Sequence, residues 1–315
     1  MEHLEEFLAQ AIRQRKLEAK LTKHSLKRLR EALGWVRGQI EFYGLSQIGP
    51  NRTQALEALR REVESYMAQR FSTPLMELMQ TSDIVQSFVE KELQLARKIA
   101  ETAGGAPTGV LSAASATPLA VSKVMVNGVS WGEMLTERLP KSVADKVNRM
   151  LGLFPDDVGK VFADAVIRPT ERQVEALITS GVQDTGGLAQ QLLWQVETDA
   201  AWQEDTVQIW SAMIDSRVCA TCMGLDGTEF PMDYEKQSPH PNCRCVLLPK
   251  SFFEEGRSVV GDDGIEMIDA TAKGTEKWLR ENPETAKGIF GKKISQKFLK
   301  GELSLDKAVR QAGGI

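Results

Sequence analysis

Apolar side chains recur every three or four positions through the first forty residues. Leu4, Leu8, Ile12, Leu21, Leu29, Leu33, Val36 and Ile40 form one narrow stripe among charged neighbours. That spacing predicts a long amphipathic helix over residues 2–47, stopped by Ile48-Gly49-Pro50-Asn51. A second helical stretch is expected from Thr53 to about Phe71. Thr73-Pro74 then reads as an N-cap with proline at the first helical position, opening a third stretch to about Ala103. Residues 1–103 therefore read as a helical arm or bundle. Residues 104–120, GGAPTGVLSAASATPLA, are small and interrupted by proline, and read as a linker or draped loop.

Helical periodicity resumes at residue 121. Ser130-x-x-Glu133 and Thr170-x-x-Gln173 fit capping boxes, and Pro155, Pro169 and Gly186-Gly187 punctuate the helices up to Trp202. From Thr206 the period becomes two. Val207, Ile209, Ser211 and Met213 alternate with Gln208, Trp210 and Ala212, which predicts a short strand. Leu225-Asp226-Gly227-Thr228 carries hairpin-turn residues, and Cys245–Leu248 reads as a returning strand. The tail, 251–315, reads as short helices broken at Asn282-Pro283, Gly291 and Gly301.

Composition agrees with a helix-rich chain: of 315 residues, 42% are hydrophobic and only 6% aromatic, a balance that favours helix over sheet. The net charge of −4 excludes a uniformly basic nucleic-acid binder, yet it hides a polarity. Residues 13–37 hold nine Lys/Arg (13, 15, 16, 20, 23, 27, 28, 30, 37) against Glu18 and Glu31, so this stretch carries +7 and the remainder −11. Two readings stand for it: a solvated helix face, or contact with a phosphate backbone or an acidic partner surface. The first ten residues carry three Glu and no basic n-region, unlike a secretory signal. The most apolar window, 106–126, is too broken to span a bilayer. A soluble chain of intracellular origin is expected.

All four cysteines fall within 27 residues, as Cys219-Ala-Thr-Cys222, a seventeen-residue spacer, then His240-Pro-Asn-Cys243-Arg-Cys245. A Cys-x-x-Cys knuckle supplies two thiolates on one edge of a tetrahedron, and a second short cluster closes it from across a loop. Such an N/S donor set suits zinc. Five donors compete for four positions, with Cys219, Cys222 and His240 joined by Cys243 or Cys245. On a strand those last two would point to opposite faces, and the sequence leaves the choice open. Disulfides would need an oxidising compartment, and a thioredoxin-like pair would need a long helix after the motif. A catalytic zinc would keep an open position and a base nearby. There is no H-E-x-x-H, and no H-x-E of the zinc-deaminase kind stands in the cysteine cluster, where His240 is followed by Pro-Asn. The chain also lacks a Walker loop and a G-x-G-x-x-G. His3 and His24 sit on the charged helix and read as solvated. Asp156-Asp157 reads as a helix start, Trp194, Trp202 and Trp210 as core, and Asp215 with Arg217 as a salt bridge or turn orienting the knuckle. The expected fold is mostly α with a small β-rich zinc knuckle (α+β): long N-terminal helices, a helical middle domain and a short helical tail. The metal is expected to be structural.

The run WSAMIDSRVCATCMGLDGTEF, followed by SPHPNCRCVLLP, resembles the phage minor head protein family, the Mu F-like head morphogenesis proteins. The matching positions are Trp210, Asp215, Arg217, Cys219, Cys222, Leu225, Asp226, Gly227, Phe230, Pro239, His240, Pro241, Asn242, Cys243, Arg244, Cys245 and Pro249. The family's Arg-Thr-Glu segment finds its nearest counterpart in Arg168-Pro169-Thr170-Glu171. In the tail, Trp278-Leu279 with Pro283, Ile289-Phe290-Gly291 and residues 298–306 are similar to segments that follow this domain. The division implied is an arm (1–103), a linker (104–120), a Mu F-like domain (121–250) with its knuckle at 207–250, and a tail (251–315).

The resemblance implies a structural, non-enzymatic minor head protein of a tailed bacteriophage or prophage. Such a protein acts in head morphogenesis at the portal or procapsid, and in DNA packaging or genome delivery. Its partners would be the portal and/or major capsid protein, in several copies per particle, with DNA as a further candidate through residues 13–37 and no membrane. It would reside in the virion after synthesis in the bacterial cytoplasm. Two alternatives remain: a zinc-stabilised nucleic-acid-binding protein, and a toxin-delivery protein with a C-terminal enzyme.

Overall fold

The computed structural model describes residues 2–42, 52–102, 109–126, 128–154, 157–197, 207–240, 243, 245–250, 257–261, 264–269 and 271–313. The predicted breaker at 48–51, Pro155, Asp156, Trp202, Pro241, Asn242 and Arg244 lie outside the described residues, as does the burial of Leu4 and Leu8.

The first helix, α1, runs Glu2–Phe42. Its buried side chains are Leu17, Leu21, Ser25, Leu29, Ala32, Leu33, Val36 and Ile40, the stripe expected from the spacing, with two differences. Leu17, Ser25 and Ala32 join it, and Ile12, placed on it by periodicity, is 47% exposed. Helix α2 (Arg52–Met67) continues into α3 (Thr73–Thr81) through a π-type turn, Ala68–Ser72. Thr73 is therefore not an N-cap. The expected break at Pro74 is replaced by a wider turn in which the Thr73 amide donates to the Ala68 carbonyl.

The same device recurs at two further prolines. Helix α6 (Trp131–Glu133) passes through a π turn, Met134–Arg138, into α7 (Leu139–Leu153), ahead of Pro140. Helix α8 (Val158–Phe162) passes through Ala163–Ile167 into α9 (Arg168–Glu197), ahead of Pro169. Proline has no amide to donate, and its ring collides with the carbonyl four residues earlier. The extra residue of a π turn moves that carbonyl away, so the helix survives. Thr170 is consequently inside a helix rather than at its start: its hydroxyl donates to the Val166 carbonyl at 2.7 Å. Gly186-Gly187 likewise lies within α9. There a Cβ on Gly186 would come within 3.1 Å of Phe88, so the glycine permits close helix approach instead of a break.

The real interruption in the N-terminal half falls at Ser82, which is extended and whose hydroxyl accepts from the Val85 amide at 3.3 Å. Helix α4 (Asp83–Thr102) follows it. Residues 113–120, within the stretch read as linker, belong to α5 (Ala113–Lys123), capped by Ser112 and buried at Ala116, Thr117, Ala120 and Val121. Its composition of small residues lets it lie tightly between α4 and α9. A two-residue ladder, β1 (Met125–Val126) with β2 (Val129–Ser130), leads into α6, and here the serine half of the predicted capping box is present. The Ser130 hydroxyl accepts from the Glu133 amide at 3.1 Å.

Strand β3 (Gln208–Ser211) is the centre of a three-stranded antiparallel sheet with β4 (Glu229–Phe230) and β5 (Val246–Pro249), in the order β4-β3-β5. All four β3 residues are buried, because both faces are covered; the alternation expected of a half-exposed strand is not seen. Between β3 and β4 stands α10 (Ala220–Leu225). The turn at 225–228 is present, with Gly227 at φ 80° and the Thr228 amide donating to Leu225 at 2.9 Å. It joins α10 to β4 rather than two adjacent strands.

The tail contains a hairpin that periodicity missed, β6 (Arg257–Gly261) with β7 (Gly264–Ile268), in a segment expected to be helical. Helices α11 (Ala272–Glu281), α12 (Pro283–Leu299, kinked at Gly291, φ 73°) and α13 (Leu305–Gln311) then follow the predicted breaks.

Two hydrophobic cores organise these elements. One runs from Leu17 to Trp194, uniting arm and middle helices. The other unites the knuckle with the tail: Trp210, Ile214, Cys222 and Cys243 pack with Trp278, Leu279, Phe290, Phe298 and Ala308. The tail approaches so closely that a Cβ on Gly288 would lie 2.4 Å from the Ser216 carbonyl oxygen.

Candidate metal centre

The knuckle is assembled from the loop after β3, the N-terminus of α10 and the segment entering β5. Asp215, 5% exposed, turns the loop by accepting from the Arg217 amide at 2.8 Å, with the Arg217 guanidinium 3.4 Å from its second oxygen. Both sequence readings of this pair therefore hold together. Asp226 pins the other side, its Oδ1 accepting from the Ala212 amide at 2.9 Å.

Cys219 is the N-cap of α10, its thiol accepting from the Cys222 amide at 3.3 Å. A sulfur at that position meets the partial positive charge of a helix start. His240 Nε2 stands 3.0 Å from Cys219 Sγ and 3.1 Å from Cys222 Sγ. On the opposite side, Cys222 Sγ is 3.8 Å from Cys243 Sγ. Two groups of donor atoms result, each gathered within 4.8 Å: Cys219, Cys222 and His240, and Cys222, Cys243 and Cys245. Cys222 belongs to both. All five residues singled out by spacing are thus brought together.

Strand alternation was expected to send Cys243 and Cys245 to opposite faces, but β5 begins only at Val246. Both cysteines precede the strand, both are buried, and both thiols turn towards Cys222.

The two donor groups, which share Cys222, could hold a thiophilic ion. Sulfurs about 2.3 Å from a common zinc and set at tetrahedral angles stand about 3.8 Å apart, the separation of Cys222 and Cys243. Soft thiolates with one imidazole select zinc over oxygen-preferring cations. The thiols polarise one another. Hydrogen bonds from Cys222 and Cys245 hold Cys243 below the ordinary thiol range, helped by the charge of Lys236. The hydrogen bond to Cys243 pushes Cys222 up. Cys245 is also raised: its bond to Cys222 is outweighed by Cys243 and burial.

The sequence reading did not identify the residues that anchor this centre to the helical body. Lys236 pairs with Asp184 of α9, both side chains 3% exposed. Lys236 Nζ also donates to Ser238 Oγ at 3.0 Å, and that hydroxyl donates to Asp184 Oδ2 at 2.6 Å. Burial opposes charge on both partners and pushes the Asp184 carboxyl up. On Lys236 burial is outweighed by Asp184 and Cys243, so the ammonium is held above its ordinary value. The Lys236 cation also lies 5.8 Å from the Trp210 ring centroid.

Beside the pair, Gln191 Nε2 donates to Gln208 Oε1 at 2.8 Å and to the Tyr234 carbonyl at 2.6 Å. Gln208 Nε2 donates to the Pro231 and Tyr234 carbonyls, each at 2.7 Å. The loop 231–238, which leads to His240, is therefore tied to α9 and β3 by buried amides. The available signal was Asp184, the one charged residue between Glu175 and Glu197, with Gln190 and Gln191 two turns on. Trp194 and Trp210 are buried as expected, and Asp157 pairs with Lys160 at 3.0 Å without a side-chain capping bond. Among the described residues no helix is long and apolar enough to cross a membrane.

Residues 167–248, from the start of α9 to β5, match the family described as Phage Mu protein F like protein. The Mu F-like head morphogenesis resemblance read from the knuckle therefore holds, and it extends upstream through the whole of α9. No curated protein and no solved structure matches the chain.

Proposed function

We propose that this chain is a structural minor head protein of a tailed bacteriophage or prophage, acting at the portal or procapsid, with one structural zinc in its knuckle. The observation that carries the reading is the family match over 167–248, which encloses all five sulfur and nitrogen donors and the α9 residues that anchor them. Cys219, Cys222, His240 and Cys243 are the ligands, on the 3.0, 3.1 and 3.8 Å separations; Cys245 is the thiol beside them. Zinc supplies no reaction here. It fixes four side chains from three segments, a constraint of about 10–16 kcal/mol in comparable small zinc domains. The toxin-delivery alternative is disfavoured because Trp278, Leu279 and Phe298 of the tail enter the same core as Cys222, rather than a core of their own. The role is head assembly, with packaging or delivery of the genome following from the position at the portal.

Quantitative mass spectrometry of gradient-purified procapsids and virions tests this. A few copies per portal are expected; absence from both particles overturns the reading.

A further inference from the structure

We propose that α1 carries a sequence-independent binding surface for a duplex nucleic-acid backbone, formed by Lys16, Lys20, Lys23 and Lys27. These residues are spaced by four, three and four positions, so they lie in one row along the helix. The row is on the side of α1 opposite the buried stripe of Leu21, Ser25, Leu29, Ala32 and Val36, and all four lysines are exposed. Between Lys16 and Lys27 no acidic residue shares the row; Glu31, one turn beyond Lys27, stands at its end. Arg30 and Arg37 extend it, but each has a partner: Glu171 at 2.6 Å and Glu41 at 3.5 Å. Among the described residues the four lysines are in no ion pair.

A row of unpaired like charges costs stability through mutual repulsion and contributes nothing to the core, which the opposite face already satisfies. The row extends about 16 Å at 1.5 Å per residue. A duplex presents one phosphate for about every 1.7 Å of its axis, so several phosphates face that length.

The chemistry separates a polyphosphate from an acidic protein as the partner. Protein–protein interfaces are depleted in lysine and centre on aromatic and apolar residues, and within this row the intervening residue Ala19 offers none. Lysines are flexible point charges that hold phosphates without reading bases. No Asn, Gln or Arg stands among the four to contact a base edge. The surface is remote from the Cys/His cluster in sequence, and it stands on α1 alone, whether or not the chain is a head component.

The test is fluorescence anisotropy of the full chain with a random-sequence 30-bp DNA duplex across a salt series. About four neutralised phosphates predict a slope near −3.6 in log affinity against log salt. Lys16→Gln/Lys20→Gln/Lys23→Gln/Lys27→Gln, at exposed positions, is expected to keep its circular dichroism and lose at least tenfold in affinity, with most of the slope. Lys292→Gln/Lys293→Gln/Lys297→Gln/Lys300→Gln, with the same change in net charge, should bind as the parent does. The proposal is overturned if the parent does not bind the duplex, if the row variant binds equally, or if the tail variant loses as much. Binding to poly-glutamate as tight as to DNA would also overturn it, in favour of an acidic protein partner.

Discussion

Lys236 and Asp184 form a buried ion pair between the loop that carries His240 and the middle of α9. It joins two cores that otherwise meet mainly through β5 and the amides of Gln191 and Gln208. A charge pair at such a place is a weak source of net stability, but removing one partner leaves the other's charge buried without its counter-charge.

Lys236→Met should therefore destabilise the chain by about 3–5 kcal/mol, and Asp184→Leu comparably. The double substitution should cost clearly less than the sum. Urea unfolding of the four species closes the cycle; strict additivity would show that the pair is not coupled.

Cys222 is common to both donor groups, which ranks the cysteines. Cys222→Ser should release metal at the lowest chelator concentration. Cys219→Ser and Cys243→Ser should follow, and Cys245→Ser should retain metal close to the parent. Competition with a chromophoric chelator measures the order. Retention by Cys243→Ser with loss in Cys245→Ser would exchange the roles of those two thiols.

How much of this was legible in the sequence depends on which interaction decides each element. The stripe of α1, the Ser130 cap, the 225–228 turn and the five donors are set by neighbours a few positions apart, and each was readable. Pro74 and Pro169 were read as breaks because the local rule concerns an α turn; packing selected a π turn instead, and no short pattern announces that choice. Ser112 and Ser82 are caps whose signal was present but masked, in one case by a run of small residues and in the other by the apolar periodicity on either side. Asp184 and Lys236 are 52 positions apart, so their pairing is a property of the fold. The β6–β7 hairpin was overlooked although Val259-Val260 precedes Gly-Asp-Asp-Gly, a run of turn-prone residue types.

Glu92 of α4 is 4% exposed, and its carboxyl accepts from Gln190 Nε2 at 2.7 Å. Burial raises its pKa to about 8, against the opposing effects of Gln190 and Arg13. A raised acid binds its proton more tightly in the folded state, so its contribution is complete below the unfolded value near 4.5 and is lost as pH rises through 8. Stability should fall between those values by up to about 5 kcal/mol, at about 1.4 kcal/mol per unit. Glu92→Gln should flatten that slope. Urea midpoints at pH 5 and pH 9 for both chains test it; equal slopes would remove Glu92 as the cause.

Trp131 is fully buried, its indole donating to the Leu177 carbonyl at 2.7 Å. A Cβ on Gly181 would come within 2.6 Å of that ring. Gly181→Ala should destabilise the helical core by about 1–3 kcal/mol, despite alanine's better helix propensity. Thermal unfolding of the variant reads the sign directly, and a raised Tm would contradict the packing.

The most direct test of the account is the metal content of the chain purified without added metal, by inductively coupled plasma mass spectrometry. If the proposed centre holds zinc, about one zinc per chain is expected, and its removal by chelator should expose residues 207–250 to hydrogen exchange while α1–α9 stay protected. A chain that carries no stoichiometric metal, and whose knuckle exchanges identically with and without zinc, would contradict it.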